Sequence, residues 1–381
     1  MNLILGSSGL EFLWDWVFKL GWKEYVMFAV GFILIYLAIA KKLEPSLLLP
    51  MGLGAIIVNI PESGALGSSG AIEWLFDVGI KASEILPLLL FIGIGAMLDF
   101  GPLLSNPKLI FVGAAAQAGI FVTIIFAQMI GFDLTDAACI GIIGAADGPT
   151  SILVATKLKT DYLGAITVAA YCYMALVPLI QPFVIKCCTS KKERLIKMEY
   201  NPKSVSKKAK IIFPIFITLL AGLLSPDAVS LVGFLMFGNL LRECGVLDSL
   251  SETASNTLTN LVTLVLGISV SFTMKADKFV TPQTIMIMSL GLFAFVFDTI
   301  FGIFFVKILN LFSKKKINPM VGAAGISAFP MASRIVHQMG VKEDKSNYLL
   351  MHSASANIAG QVASAIAGGV VLTLVGMAIG A

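Results

Sequence analysis

One carboxylate stands alone in a long apolar stretch. Asp147 is the only acidic residue between Asp136 and Asp161, set in Ile143-Gly144-Ala145-Ala146-Asp147-Gly148-Pro149-Thr150-Ser151. A carboxylate at membrane depth is costly and is a functional candidate by default. Ionised, it holds a cation; neutral, it carries a proton; one residue can therefore exchange the two. The ordinary role of an Asp just ahead of Gly-Pro is to cap the following helix, and both roles can hold. A second Gly/Pro-rich strip runs Asn318-Pro319-Met320-Val321-Gly322-Ala323-Ala324-Gly325-Ile326-Ser327-Ala328-Phe329-Pro330. In both strips glycine lets the backbone unwind and proline leaves a carbonyl unclaimed. Freed carbonyls and the short oxygens of Ser, Thr and Asn are hard ligands that suit a small cation.

Other residues admit two readings each. Asn357, Gln361, Ser364 and Gly368 follow at i, i+4, i+7 and i+11 and line one helix face. Such a stripe is ordinarily helix-packing glue; a cation site is its sharper reading. Arg334 closes the second strip, either as a snorkelling interfacial arginine or as a bidentate partner for a carboxylate. Tyr171 and Tyr173 lie mid-segment, where packing plus one hydrogen bond is the ordinary expectation. The two histidines, His337 and His352, are too few for a histidine-based metal centre, and the five cysteines show no metal-ligand spacing.

These groups need a scaffold, and the composition says which kind. Of 381 residues, 57% are hydrophobic and only 13% charged, against roughly 25% charged in soluble domains. Mean hydropathy is +0.91. That excludes a soluble enzyme, a nucleic-acid-binding module, a secreted disulfide scaffold and a disordered chain. The apolar runs are continuous, as in Leu88-Leu89-Leu90-Phe91-Ile92, so the spans are helices rather than barrel strands. Candidate segments are 25–40, 46–60, 83–98, 108–130, 137–158 and 162–186, then 209–224, 228–241, 256–274, 283–312, 317–338 and 347–381. Between the two sets, residues 186–210 carry nine basic side chains against Glu193 and Glu199. Residues 187–208 read as a basic cytoplasmic linker that fixes orientation and offers a docking face for soluble partners or anionic lipid. Residues 1–22 hold Trp14, Trp16 and Trp22 and read as an interfacial segment. They lack the basic start of a cleavable signal.

The two sets of six invite a search for a repeat. Gly93-Ile94 then Asn106-Pro107 matches Gly267-Ile268 then Thr281-Pro282; Gly144-Ala145-Ala146 matches Gly322-Ala323-Ala324; Asp161-Tyr162-Leu163 matches Asn347-Tyr348-Leu349. The order is the same in both. After the fourth segment the first half has Asp133 and Asp136, whereas the second has Lys314-Lys315-Lys316, which places those ends on opposite sides. The expected architecture is thus two inverted repeats, 23–186 and 209–381, with broken, Gly/Pro-interrupted helices meeting near the midplane. Inversion needs an odd number of crossings per half, so the fifth segment of each should not cross fully.

Three motifs together resemble the β subunits of the sodium-pumping biotin-dependent decarboxylases, which act on oxaloacetate, methylmalonyl-CoA, glutaconyl-CoA or malonate. They are Gly144-Ala145-Ala146-Asp147-Gly148-Pro149-Thr150; Ala170-Tyr171-Cys172-Tyr173 through Pro178; and Asn318-Pro319 with Gly322, Gly325, Ser327, Pro330 and Arg334. The resemblance runs from about Leu86 to the end. It implies a subunit that decarboxylates carboxybiotin, presented on a carrier protein and not held covalently here, while exporting Na+ and consuming a proton. By the same resemblance Asp147 is the Na+/H+ carboxylate and Tyr173 handles the proton. Asn318, Gly322, Ser327 and Asn357 belong to the Na+ path, and Arg334 meets the carboxylate of carboxybiotin. Implied partners are a soluble carboxyltransferase subunit, the biotin carrier, a small single-span membrane subunit and further copies of the chain, in the plasma or inner membrane of a prokaryote. The chain is compact beside longer members, which counts against oxaloacetate as the substrate of its complex. The rival classes are a Na+-coupled secondary carboxylate transporter of the same architecture, which needs no biotin protein, and a non-catalytic membrane anchor.

Overall fold

A computed structural model describes residues 19–67, 70–199 and 205–380, and every regular element among them is helical. Helices α1 (Trp22–Ala40) and α2 (Pro45–Val58) precede α3 (Ala71–Lys81) and α4 (Ile85–Met97), which are bent by 65° at their junction. Then come α5 (Lys108–Ala116) and α6 (Ala118–Ile130), α7 (Leu134–Ala145), α8 (Gly148–Lys157) and α9 (Leu163–Cys188). Beyond the basic stretch lie α10 (Lys207–Leu224), α11 (Val229–Glu243), α12 (Asp248–Met274), α13 (Pro282–Phe312), α14 (Met331–Glu343) and α15 (Leu350–Ile379). Six stretches are long and apolar enough to cross a bilayer: α1, the α5–α6 pair, α9, α12, α13 and α15. The chain is a multi-pass helical membrane protein. Several expected segments are shorter: α2 has 14 residues and α11 has 15, against about 20 for a full span. Of the interfacial segment expected over 1–22, only the last four residues are described, and Trp22 opens α1.

The helices form two compact units, residues up to Leu86 with Asn260–Ile285, and Pro87–Thr259 with Met286–Ala381. In the first unit α2 packs on the end of α12. Asn59 at the C-cap of α2 donates to the carbonyl of Met274 at 2.8 Å and accepts from the N–H of Ala276 at 2.7 Å. In the second unit α11 packs on α4 by the same device, Asn239 donating to the carbonyl of Leu98 at 2.8 Å. There the two backbones nearly touch: a Cβ on Gly95 would lie 1.9 Å from the carbonyl oxygen of Leu235, and one on Gly238 1.9 Å from that of Ile92. Small residues permit such close crossings in a membrane. The second helix of each half therefore rests on the third segment of the other half.

Both interrupted segments are hairpins inside the second unit. The first comprises α7 and α8: Thr160, just beyond α8, donates to Asp136 at the start of α7, so the chain enters and leaves at one end. The second comprises Asn318, a short turn and α14. Its entry residue Asn318 donates to the carbonyls of Arg194 and Ile196 at 2.9 and 2.8 Å, and at its exit Glu343 pairs with the Arg194 guanidinium at 2.7 Å. Helix α9 joins the two entrances. It starts beside Thr160, runs 26 residues, and ends at Thr189, whose carbonyl also accepts from Arg194. At 1.5 Å per residue that is about 39 Å, a full membrane thickness. The hairpins thus enter from opposite ends of α9, and their tips join where the N–H of Ser327 donates to the carbonyl of Ala145 at 2.9 Å.

Candidate cation site

Local sequence places Asp147 at the tip of the first hairpin. Residues Ile142–Ala145 tighten into a 3-10 turn, and Ala146 adopts a left-handed conformation at φ 53°. The chain then reverses into α8, with Asp147 as N-cap and proline in the first turn. Gly148 is required by packing: a Cβ there would fall 2.2 Å from ring carbons of Tyr171. The Asp147 side chain is buried, 3% exposed. Its Oδ2 accepts from the Thr150 hydroxyl at 2.7 Å, the Ser364 hydroxyl at 2.6 Å and the Gln361 amide at 3.3 Å. Its Oδ1 has only the N–H of Thr150, at 3.5 Å.

The polar stripe of α15 serves both tips. Gln361 and Ser364 reach Asp147, while Gly368 admits the Thr150 methyl, which would lie 2.6 Å from a Cβ there. Asn357 donates to the carbonyl of Ile326 at 2.6 Å, leaving its own carbonyl oxygen buried without a partner. The Ser327 hydroxyl donates to the carbonyl of Gly360 at 3.0 Å. Buried oxygen without a donor is rare, and Asn357 stands one helical turn before Gln361, whose amide reaches Asp147.

Of the residues expected at the site, the structure gathers Asp147, Ser327 and Asn357 around the joined tips. Asn318 is elsewhere: its amide N–H groups hold the carbonyls of Arg194 and Ile196 and its oxygen accepts from the N–H of Met320. None of its hydrogen-bond partners belongs to the Asp147 cluster. Gly322 sits at a helix crossing, where a Cβ would lie 2.1 Å from the carbonyl oxygen of Gly302 on α13. The Tyr173 hydroxyl donates to the carbonyl of Met288, also on α13. Arg334 is exposed in the first turn of α14, with no ion pair among the described residues. Gln361 and Ser364, read from sequence only as members of a stripe, prove to be direct partners of Asp147. Asp298 on α13 escaped notice altogether, although it is the single acidic residue of that segment and would have passed the same test as Asp147.

The part of the basic linker nearest α9 is an ordered strap over the entrance of the second hairpin. Besides Arg194 with Glu343, Glu193 meets Lys307 at 3.0 Å and Lys197 meets Asp344 at 2.9 Å. Lys197, with the N–H and hydroxyl of Ser346, holds the Asp344 carboxyl well below the usual range. Burial pushes Glu193 up, but hydrogen bonds from Ser190 and Lys307 outweigh it and leave the group lowered.

Residues 23–375 match the family model described as the Na+-transporting oxaloacetate decarboxylase beta subunit. The chain belongs to this family. It is 49% identical over 355 residues to the glutaconyl-CoA decarboxylase subunit beta of Acidaminococcus fermentans, covering 93% of this chain and 94% of that one. To the methylmalonyl-CoA decarboxylase subunit beta of Veillonella parvula it is 49% identical over 349 residues, 92% of each chain. To the oxaloacetate decarboxylase beta chain of Klebsiella pneumoniae it is 45% identical over 435 aligned positions, covering 98% of this chain and 99% of that one. A membrane subunit of a Na+-transporting decarboxylase must pass a small cation through a helical core. Among the described residues, the joined hairpin tips bring the Asp147 carboxylate together with the Thr150 and Ser364 hydroxyls.

Proposed function

We propose that the chain decarboxylates carboxybiotin delivered on a carrier protein, and that Asp147 couples this step to Na+ export and to uptake of a proton. The observation that carries the reading is the Asp147 carboxylate, buried at the meeting of two hairpins and accepting from Thr150, Ser364 and Gln361. With Na+ present, the Thr150 and Ser364 hydroxyls rotate and offer lone pairs to the ion, since a hydroxyl both donates and accepts. The orphan oxygen of Asn357 and the second oxygen of Asp147 complete a hard-ligand set. When the ion leaves, a proton takes its place on Asp147. That proton goes to the ureido nitrogen of biotin, the N–C bond of the carbamate breaks, its electron pair returns to nitrogen as the N–H forms, and CO2 departs. Proton and sodium compete for one carboxylate, so neither moves without the other. Arg334, exposed and with no ion pair among the described residues, suits the carboxylate of carboxybiotin as a bidentate partner. Tyr173 stands on α9 against α13, adjoining Ile143 of the first hairpin through Gly291, and supplies a hydroxyl for proton relay. Ser327 ties the tips, so movement of one hairpin is felt by the other.

We read the two halves as inverted repeats. Supporting this are the matched order of helices, the reciprocal packing of α2 and α11, and the entry of the hairpins from opposite ends of α9. The strap and the remaining basic linker then face the cytoplasm of a prokaryotic cell, where a carboxyltransferase and the biotin carrier would dock; a small single-span subunit and further copies would join within the membrane. The test is Na+ uptake into proteoliposomes with a carboxybiotin carrier as the sole energy source. Asp147→Asn, nearly isosteric, is expected to abolish Na+ uptake and carboxybiotin decarboxylation together. Full pumping by that variant overturns the assignment, and substrate uptake driven by a Na+ gradient without biotin protein would make the chain a secondary carboxylate transporter.

A further inference from the structure

Helix α14 is too polar to face lipid. Over 13 residues it carries Arg334, His337, Gln338, Lys342 and Glu343. Its apolar side is occupied: Ala332 and Ile335 cluster with Ala146 of the first tip and Val177 of α9, and α15 packs on the adjoining side. What remains is an open face. Arg334, Gln338 and Lys342 are exposed along it at i, i+4 and i+8, one row down the helix. Lys345 is exposed just beyond the helix end. Charged side chains at membrane depth face water or a cavity. Arg334 sits in the first turn, next to the joined tips; nine positions on, Glu343 meets the strap. At 1.5 Å per residue the row runs about 14 Å from the strap up to the tips.

The row is cationic at both ends, and the acids beside it are engaged, Glu343 with Arg194 and Asp344 with Lys197. A cleft lined this way draws in an anion. Beside the row stands an aromatic pair. Tyr348 is 66% exposed, and its ring lies 5.9 Å from that of His337, tilted by 31°. His337 is half-buried with its Nδ1 enclosed, so it forms a fixed floor and Tyr348 the accessible ring. His337 and Gln338 follow Arg334 by three and four positions, which puts each about 5–6 Å from it at Cβ. The face thus offers, within one helical turn, a guanidinium, an amide and an aromatic ring. Carboxybiotin presents the complement on a flexible chain: an anionic carbamate, a polar ureido ring and an apolar thioether ring. The carbamate meets Arg334, the ureido group the Gln338 amide, and the thioether ring the face of Tyr348, where sulfur–aromatic contact is favourable.

We propose that the open face of α14 is the wall along which the biotin-bearing arm of the carrier enters, and that Tyr348, steadied by His337, binds the bicyclic ring while Arg334 holds the carbamate. The inference rests on the chain being a carboxybiotin decarboxylase and adds where the ring binds. The test is CO2 release by the full complex against the concentration of carboxybiotin carrier and, separately, of free carboxybiotin. Tyr348→Ala is expected to raise KM for both by about tenfold, the worth of a stacking contact, with kcat and melting temperature unchanged. Tyr348→Phe keeps the ring and should match the wild type; His337→Ala should raise KM in the same direction by less. An unchanged KM for the free compound in Tyr348→Ala overturns the proposal, because a residue that only docks the carrier protein would spare it. In a second measurement, Gln338→Cys in a chain with its five native cysteines replaced should react with a small impermeant thiol reagent, and carboxybiotin should slow the reaction. A cysteine there that does not react means the face is turned to lipid, and the proposal falls. If the wild type releases no CO2 from carboxybiotin, the decarboxylase assignment itself fails; normal turnover with KM unmoved in Tyr348→Ala removes only the ring site.

Discussion

Gly148 decides how closely the Asp147 tip can approach α9. An added methyl would meet the Tyr171 ring at 2.2 Å, and overpacking of this kind costs about 1–3 kcal/mol. Gly148→Ala is therefore expected to lower both the melting temperature and Na+ transport. Tyr171→Leu in the same chain should recover part of each, whereas Tyr171→Phe, which keeps the offending ring carbons, should not. Transport that is normal in Gly148→Ala would mean the tip does not depend on this contact. At this scale the sequence is most legible where a residue's own chemistry is unusual for its surroundings, as with the lone carboxylate Asp147. Asp298 carries no Gly/Pro strip as a local signal, because α13 is an unbroken helix there. The place of Asn318 at the hairpin entrance is not legible, because the carbonyls that claim its amide belong to residues 194 and 196, and such remote backbone partners leave no trace in local spacing. The α15 stripe fell between these cases: periodicity defined its face, and only folding supplied Asp147 as what it faces.

Among the elements, the strap links the basic linker to the second hairpin through side chains that titrate in known directions. Asp344 and Glu193 are both held below their ordinary values. A depressed carboxylate contributes stability above its unfolded pKa, about 3.9 for Asp and 4.3 for Glu, and that contribution is lost as pH falls through the folded value. The strap is thus expected to stay docked from pH 8 down to pH 5 and to loosen only in stronger acid. Hydrogen–deuterium exchange over residues 190–198, corrected for intrinsic rates, measures this; release already between pH 7 and 5 would contradict it. Arg194→Ala removes the hub that holds Glu343 and the carbonyl of Thr189, and should free the strap at every pH. If soluble partners dock here, reversing several exposed linker lysines should weaken complex assembly at low salt, because such attractions are screened over about 10 Å at 0.1 M. Assembly that ignores the reversals would leave the linker as an orientation signal alone.

For the molecule as a whole, charge and topology must agree. The strap contacts the last turns of α13 through Lys307, so Lys314, Lys315 and Lys316, just beyond that helix, lie at the strap's end of α9. Asp133 and Asp136 lie at the other end, where Thr160 closes the first hairpin. By the positive-inside rule the expected orientation has the strap and residues 314–316 in the cytoplasm and the Asp133–Asp136 turn outside. Single cysteines placed at 192, 315 and 133, in a chain with its five native cysteines replaced, can be labelled in inside-out and right-side-out vesicles with an impermeant maleimide. Positions 192 and 315 should label only from the cytoplasmic side and 133 only from the other. Labelling of 133 and 315 from one side would mean that the fourth segments of the two halves run the same way; the halves would then be parallel, and alternating access by hairpins approaching from opposite faces would have no basis.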